Sequence, residues 1–335
     1  MSNVVTIGIP VYRRLHCLPH ALQSVLSQDY PNIELLVSDN GMNGSKVKDI
    51  IDQWYPKPYR FRQNPVTVKV ASHYNQIIHE ASGQFFVPLD DDDTISSNFI
   101  SDLVDIVKHN PDVAFAMGRQ EIVDTSGKIL RTSSEQVPDR MSGADFLRAW
   151  TRYGFANYTT VLARTADLQL IGGYPEFTRG IHIDDALVLK LCLGRAVAFS
   201  QRCAFRLSRD ESSMSVSLSY QELAEATRGF LIFLDSDPTI LAYANSEPVL
   251  WTELKECMVQ MALWGYLNRW QIQYRQALPP LQWVRAAFVL PFIPDYYRKV
   301  RSSLLCASKE ALAARAKELV PWASKLYRAL KSSKT

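Results

Sequence analysis

Four consecutive aspartates, Asp90 to Asp93, close the stretch "FFVPLDDDD", in which an apolar run ends directly in acid. Like charges on adjacent residues repel and raise one another's pKa unless a cation is placed among them. An acidic run elsewhere reads as a solvated loop, but the carboxyl end of a buried strand is where open parallel sheets bind ligands. Carboxylates there suit a hard divalent cation with oxygen ligands, Mg2+ or Mn2+, which also takes phosphate oxygens. In extended chain alternate residues project to one side, so Asp90 and Asp92 are expected on one target, with Asp91 and Asp93 turned elsewhere. Asp235-Ser236-Asp237 repeats the spacing but closes a helical pattern before Pro238. It is read as a helix end near solvent.

Two further acidic positions invite chemistry. Asp39 ends a strand as Pro10 ends the one before it, so the two are expected to line one crevice. A buried carboxylate there needs donors, and the ring N–H of a pyrimidine is one, with Tyr12 against the base face. Asp in "SDNG" is also a turn former, and both readings stand. Asp184-Asp185 opens a helical pattern, where acid complements the helix dipole. No G-x-G-x-x-G follows the first strand and no G-x-x-x-x-G-K-[ST] occurs, so the usual dinucleotide and P-loop signatures are missing.

The elements that must position these residues follow from periodicity. "VVTIGIPV", "NIELLVSD", "QFFVPLD" and "DVAFAMG" are β-rich apolar runs, as expected of strands buried on both faces. Helical spacing appears at 15–26, 46–54, "SHYNQIIHEASG" and "SSNFISDLVDIVKHNP". A short strand is expected near 59–63 and a hairpin about Thr125-Ser126-Gly127. "SGADFLRAWTR", "TADLQLIGG" and "DDALVLKLCLG" read as helices, "NYTTVLAR" as a strand, and "AVAFS" and "CAFRLS" as two short strands. The alternation predicts an α/β layer fold with a mostly parallel sheet. Beyond about 216 the strand signal fades; residues 220–275 read as two helices and the rest as more helix.

The bulk composition limits the partners. A formal charge of +3 over 335 residues does not argue for nucleic acid. Five cysteines without close pairing read as reduced thiols of a cytoplasmic protein. The start "MSNVVTIGIPVYRR" lacks the order of a signal peptide, and no 18 consecutive apolar residues occur.

Taken together, "IPVYRR…LPHALQSVLSQDYPNIELLVSDNG", "HYNQIIHEASGQFFVPLDDDD", "GGYPEF" and "IDDALVLKL" resemble family 2 glycosyltransferases of GT-A fold, over roughly residues 3 to 210. The resemblance implies a GT-A-like three-layer α/β sandwich with a mostly parallel central sheet and a helical C-terminal appendage. The catalytic domain is expected at 1–215, with a nucleotide-sugar half at about 1–117 and an acceptor half at about 118–215, and the helical region at 216–335. It implies a nucleotide-diphosphate sugar donor, of UDP or dTDP type, a divalent metal, and transfer with inversion to a hydroxyl of a glycan or lipid-linked glycan. Pro10, Tyr12 and Arg13 then edge the nucleotide pocket, Asp39 contacts the base, and Asn75 matches the helix asparagine. Asp90, Asp91 and Asp92 form the metal motif, with Asp92 the direct ligand and Asp90 nearer the sugar or ribose. Gly172-Gly173 resembles the turn below the acceptor. Asp184-Asp185 stands where relatives have Glu-Asp, with Asp185 the general base. Arg206, Arg209 and Ser213 fall in the segment that closes over the diphosphate. Two positions depart from the pattern: Tyr74 stands where many relatives have arginine, leaving Lys69 or His73 for the diphosphate, and Asp184 is shorter than Glu. His182 is a lone histidine that could approach metal or acceptor.

Residues 298–335 hold ten Lys or Arg against two Glu, with aromatics such as Phe292, Tyr296, Tyr297 and Trp322 in or beside the stretch. That composition fits an interfacial contact with an anionic membrane, peripheral on the inner face, or a self-association surface. Rival readings are a nucleotidyltransferase, which would normally show a glycine-rich loop after the first strand, and a non-catalytic carbohydrate-binding protein on the same fold.

Overall fold

In a computed structural model of the chain, the described residues are 3–124, 127–132, 137–149, 160–208 and 219–274. The first part alternates as expected: β1 (Val5–Val11), α1 (Leu18–Leu26), β2 (Ile33–Asp39), α2 (Lys46–Trp54), β3 (Arg60–Gln63), α3 (Val70–Glu80) and β4 (Phe85–Pro88). A two-residue β5 (Thr94–Ile95), α4 (Phe99–His109) and β6 (Val113–Val123) follow. Then come β7 (Ile129–Thr132), β8 (Arg140–Ser142), α5 (Gly143–Arg148), β9 (Leu162–Arg164), α6 (Thr165–Leu170), α7 (Ile183–Cys192) and β10 (Ala196–Ser208). Three helices close the described chain: α8 (Tyr220–Phe233), α9 (Pro238–Ser246) and α10 (Pro248–Tyr274).

One sheet has the order β3-β2-β1-β4-β9-β6-β10-β5, with β7 beside β6 and β8 beside β10. The long pairings, β1 with β2 and β6 with β10, are parallel, as are β2–β3 and β1–β4. The antiparallel pairings engage only two or three residues each. Sequence alternation sends Val5, Ile7, Ile9 and Val11 to one face, where they share a core with Leu22 and Val25 of α1, Ile51 of α2 and Leu103 of α4. On the other face Gly8 lets α3 close on the sheet: a Cβ there would lie 2.5 Å from Ile77 and 2.8 Å from Phe86. These are the two outer layers and the central sheet that the alternation predicts.

Three local expectations change. "AVAFS" and "CAFRLS" are one strand, because β10 absorbs residues 201–203 in a bulge: Ser200 pairs Gly118 and Ala204 pairs the next residue, Arg119. Residues 220–274 form three helices rather than two, since Pro238 and Pro248 each open a new helix. Asp237 is the N-cap of α9, its side chain accepting from Thr239 N and Ile240 N, and it pairs with buried Lys190 of α7 at 3.2 Å. The Asp235-Ser236-Asp237 repeat is therefore a helix junction, and half of it is tied to the sheet domain rather than left in solvent. The first compact unit runs from Met1 to Arg269 and the second from Trp270 to Thr335. Helices α8 and α9 thus belong to the unit that contains the sheet, beyond the expected boundary at 215. Among the described residues no helix is long and apolar enough to cross a membrane. The hairpin tip at Thr125-Ser126, Arg209, Ser213 and the aromatic-basic tail lie outside the described residues.

Candidate active site

Strands β1 and β2 run parallel and end side by side, with Pro10 opposite Ser38 and Val11 opposite Asp39. The loops beyond them lock together. Asn40 N donates to Val11 O (2.8 Å) and Asn43 Nδ2 to Tyr12 O (2.6 Å). Gly41 passes so close to the Tyr12 carbonyl that any Cβ would collide with it. The Arg13 guanidinium lies over the Tyr12 ring, 4.8 Å from its centroid. Asp39 is fully buried and accepts four hydrogen bonds: Gly41 N (2.8 Å) and Asn43 Nδ2 (2.7 Å) on Oδ1, Asn43 N (3.0 Å) and Gln63 Nε2 (3.0 Å) on Oδ2. Four bonds fill a carboxylate. Asp39 thus builds the turn, and a further donor would reach it only where one of these four gave way.

The aspartate run leaves β4 as a turn, not as extended chain, with Asp93 N bonded to Asp90 O at 3.1 Å. The expected alternation therefore does not hold. One carboxylate oxygen from each of Asp90, Asp92 and Asp93 falls within 4.8 Å of the others. Asp91 turns away to Tyr12 N (3.4 Å) and to Arg14, whose guanidinium bridges it (2.9 Å) to Asp92. Asp93 Oδ1 accepts from Ser208 N (2.9 Å), while its Oδ2 is buried with no partner among the described residues. Burial foremost, and then neighbouring carboxylates, push Asp92 up to about 7 and Asp93 well above the carboxylate range. Burial, opposed by Arg14, takes Asp91 to about 6 and also raises Asp90. An all-oxygen donor set with one orphaned buried oxygen and unneutralised like charge fits a hard divalent cation.

Helix α3 presents three consecutive side chains to this region, each with a separate task. Buried His73 contacts Ser38 Oγ at 2.9 Å, and burial lowers its imidazole to about 4. In this structure it packs near the end of β2, against Ser38. Lys69 is exposed, 4.0 Å from Glu176. Tyr74 donates its hydroxyl to Asp90 and packs on Tyr174, ring centroids 4.9 Å apart. Asn75 holds Tyr174 by both amide atoms, 2.8 Å each way. Gly173, at φ 65°, brings the chain so near Asn75 that a Cβ would strike its Oδ1. A groove of about 410 Å³ lined by Arg62, Ser72, Asn75, Gln76 and His79 runs along α3 and shares only Asn75 with the site.

Through Tyr74 the acidic turn reaches Tyr174. Its hydroxyl is buried without a partner among the described residues, and burial, then the charges of Asp184 and Asp90, raise its pKa. Asp184 and Asp185 occupy the first turn of α7, after His182 in a left-handed conformation (φ 66°). His182 Nδ1 lies 2.7 Å from Asp185 Oδ2 and its Nε2 lies 3.3 Å from Thr227 Oγ1 on α8. Arg206 Nε donates to Glu121 Oε2 (2.9 Å), a buried carboxylate that Arg119 also holds at 2.7 Å. Ion pairing outweighs burial there and keeps Glu121 below the usual carboxylate range. Sequence reading passes over Arg14, Asp93, Tyr174, Thr227 and Glu121. Arg14, directly after Tyr12-Arg13, Asp93, inside the run, and Tyr174, inside "GGYPEF", carry a local signal.

Comparison with known proteins adds to this geometry. Residues 6–168 match the model of "Glycosyl transferase family 2". An uncharacterised glycosyltransferase of Rickettsia bellii is 31% identical over 145 residues, 42% of this chain and 21% of that protein. The GalNAc(5)-diNAcBac-PP-undecaprenol beta-1,3-glucosyltransferase of Campylobacter jejuni is 29% identical over 161 residues, 43% of this chain and 48% of that one. The chain thus spans from about a fifth to about a half of these relatives. Among solved structures, S. aureus TarS 1-349 with UDP-GlcNAc superposes at TM-score 0.61, 15% identity, covering 86% of this chain and 79% of that one. The mannosyltransferase PcManGT of Pyrobaculum calidifontis with GDP-Man and Mn2+ gives 0.51 at 15% identity, covering 89% and 83%. At such identity the likeness is one of fold.

Proposed function

We propose, taking as premise that residues 6–168 belong to glycosyl transferase family 2, that this chain is an inverting glycosyltransferase. Its donor is a nucleoside diphosphate sugar of UDP or dTDP type, and its acceptor is a hydroxyl of a glycan or lipid-linked glycan. The observation that carries the reading is the acidic turn after β4, where one carboxylate oxygen from each of Asp90, Asp92 and Asp93 lies within 4.8 Å of the others.

Inversion requires the acceptor oxygen to enter opposite the leaving diphosphate. The acceptor oxygen bonds to the anomeric carbon, and the bond from that carbon to the diphosphate oxygen breaks with its electron pair going to the diphosphate. The acceptor proton passes to Asp185, in general-base catalysis. Asp90, Asp92 and Asp93 would hold Mg2+ or Mn2+, which when bound neutralises charge on the diphosphate. Arg14 keeps Asp91 and Asp92 in place, and Tyr74 fixes Asp90. Pro10, Tyr12 and Arg13 form the nucleotide edge. Support for the donor comes from TarS, crystallised with UDP-GlcNAc, and for the metal from PcManGT with Mn2+. Support for a lipid-linked acceptor comes from the undecaprenol-linked substrate named for the Campylobacter relative.

A cytoplasmic enzyme with such an acceptor would work at a membrane face, and the basic tail at 298–335 would attract it to anionic lipid. Isothermal titration with UDP, dTDP, GDP and CDP, each with Mn2+ and with chelator, tests the donor reading. Metal-dependent binding of UDP or dTDP is expected, and binding of GDP alone overturns it. Cosedimentation of the full chain with anionic vesicles at low salt, and of a chain ending near residue 290, tests the tail.

A further inference from the structure

The contact between α7 and α8 contains a proton that the hydrogen-bond geometry requires. Thr227 Oγ1 lies 2.9 Å from Leu223 O, one turn back along α8. A threonine hydroxyl has one hydrogen, and here it goes to that carbonyl. Toward His182 Nε2, 3.3 Å away, Thr227 then presents a lone pair, which favours a hydrogen on Nε2. The other ring nitrogen, Nδ1, lies 2.7 Å from Asp185 Oδ2. Two lone pairs do not approach so closely, and a proton must sit between them. The ring and the carboxylate share that proton.

We propose that His182 is a positioning residue that fixes the Asp185 carboxylate through this shared proton, and that Thr227 sets the tautomer that makes the proton necessary. The proposal rests on Asp185 being the base. Oδ2 is committed to His182, leaving Oδ1 to take the acceptor proton. The ring itself is clamped: His182 is 7% exposed at its side chain and stacks on Phe230 of α8 with centroids 5.0 Å apart. On α8 the residues facing it, Thr227 and Phe230, do not titrate. The charged groups at the junction are Asp184 beside it on α7 and the Arg179–Glu222 pair (3.5 Å) that joins the turn before α7 to α8. Helix α8 lies beyond the family match at 6–168, so on this proposal the candidate base is positioned from outside the matched segment.

Imidazole nitrogens of the full chain labelled with 15N-histidine report the proton directly, with His182 assigned by its loss in His182→Asn. At about neutral pH both ring nitrogens are expected to be protonated or to share a downfield proton with Asp185. In Asp185→Asn the signal should shift to a neutral Nε2–H ring. In Thr227→Val the ring should be free to hold its hydrogen on Nδ1 instead. A neutral ring with bare Nδ1 in wild type, unmoved by Asp185→Asn, overturns the proposal.

Turnover of UDP-glucose with water as acceptor supplies the second readout. Asn tolerates the left-handed backbone of position 182 and offers an N–H where Nδ1 stands, whereas Phe keeps the ring and offers none. His182→Phe should lower kcat about tenfold or more with the donor KM unchanged, the scale of a misaligned reacting group, and His182→Asn should recover most of it. Equal losses in both variants, or a loss confined to KM, overturn the positioning role. If wild type turns over neither UDP- nor dTDP-sugars, the transferase reading fails while the nitrogen spectra still decide the His182–Asp185 pair.

Discussion

The side chain of Asn75 and the backbone of Tyr174 exchange two hydrogen bonds, Nδ2 to the carbonyl and the backbone N–H to Oδ1, each 2.8 Å long. The two residues lie 99 positions apart. The pair fastens α3, which carries Tyr74 toward Asp90, to the glycine turn that precedes α7. It sets the separation of the acidic turn from the candidate base. The family resemblance implies a substrate contact for Asn75; in this structure its amide is engaged with Tyr174.

Removing that amide leaves a buried N–H and C=O unpaired. Asn75→Ala is expected to lower unfolding free energy by about 2 kcal/mol or more, at about 1–3 kcal/mol for each stranded group. Gly173→Ala should act similarly, since its Cβ meets Asn75 and its backbone is left-handed. Urea denaturation checks both. A loss under about 0.5 kcal/mol in Asn75→Ala would show that water replaces the amide.

The aspartate turn predicts a pH dependence of metal binding. Carboxyls raised in the folded state bind protons more tightly there than in the unfolded chain, so they add stability as pH falls through about 7 and about 6, and withdraw it as pH rises. A divalent cation relieves the same repulsion by replacing those protons. The melting-temperature gain from Mn2+ over chelator should therefore be large at about pH 8 and small at about pH 5.5. His73, lowered to about 4, gives the opposite slope, with stability lost as pH falls from about 6.5. That slope is the same with and without metal and cancels in the difference. Asp92→Asn should raise the metal-free melting temperature at about pH 8 and abolish most of the Mn2+ gain. Equal Mn2+ gains at the two pH values would falsify the cation site.

What the residues reveal in advance depends on whether their signal is local. Strands β1, β2 and β4 are legible because each is a continuous apolar run, and Asp39 and Asp90 are legible as acids at strand ends. Strand β10 is not, because polar Gln201 and Arg202 interrupt its pattern, and only the pairing with β6 shows that they form a bulge. Alternation fails for Asp90 to Asp93 because a turn, not extended chain, carries them. Thr227 has no signature in the chain around it, and "GGYPEF" marks a turn at Tyr174 without naming its partners. Their roles come from partners that the fold brings from elsewhere.

The saturated Asp39 gives a prediction about the nucleobase. If a pyrimidine N–H takes the place of Gln63 Nε2 on Oδ2, Gln63→Ala should bind UDP at least as tightly as wild type. Asp39→Asn, which offers an N–H where the base needs an acceptor, should weaken UDP by about tenfold or more, the scale of one hydrogen bond to a charged group. Calorimetry on folded variants, verified by their melting temperatures, checks this. UDP affinity unchanged in Asp39→Asn would leave Asp39 as a turn residue alone.

Asp185→Asn bears on the chemical step itself. The substitution keeps size and removes basicity, and the side chain, 22% exposed, sits far enough from the core that folding should persist. UDP affinity should stay at the wild-type value, because the aspartate turn and the β1–β2 loops are untouched. Turnover of a UDP-sugar should fall by about two orders of magnitude or more, the usual scale for a lost general base. Asp184→Asn separates the neighbouring acid, whose charge acts on Tyr174 rather than lying against His182. It should change the acceptor KM more than kcat. If folded Asp185→Asn turns over at the wild-type rate while Asp184→Asn does not, the base is Asp184, and the His182 contact then belongs to the support of α7 instead of to the reaction.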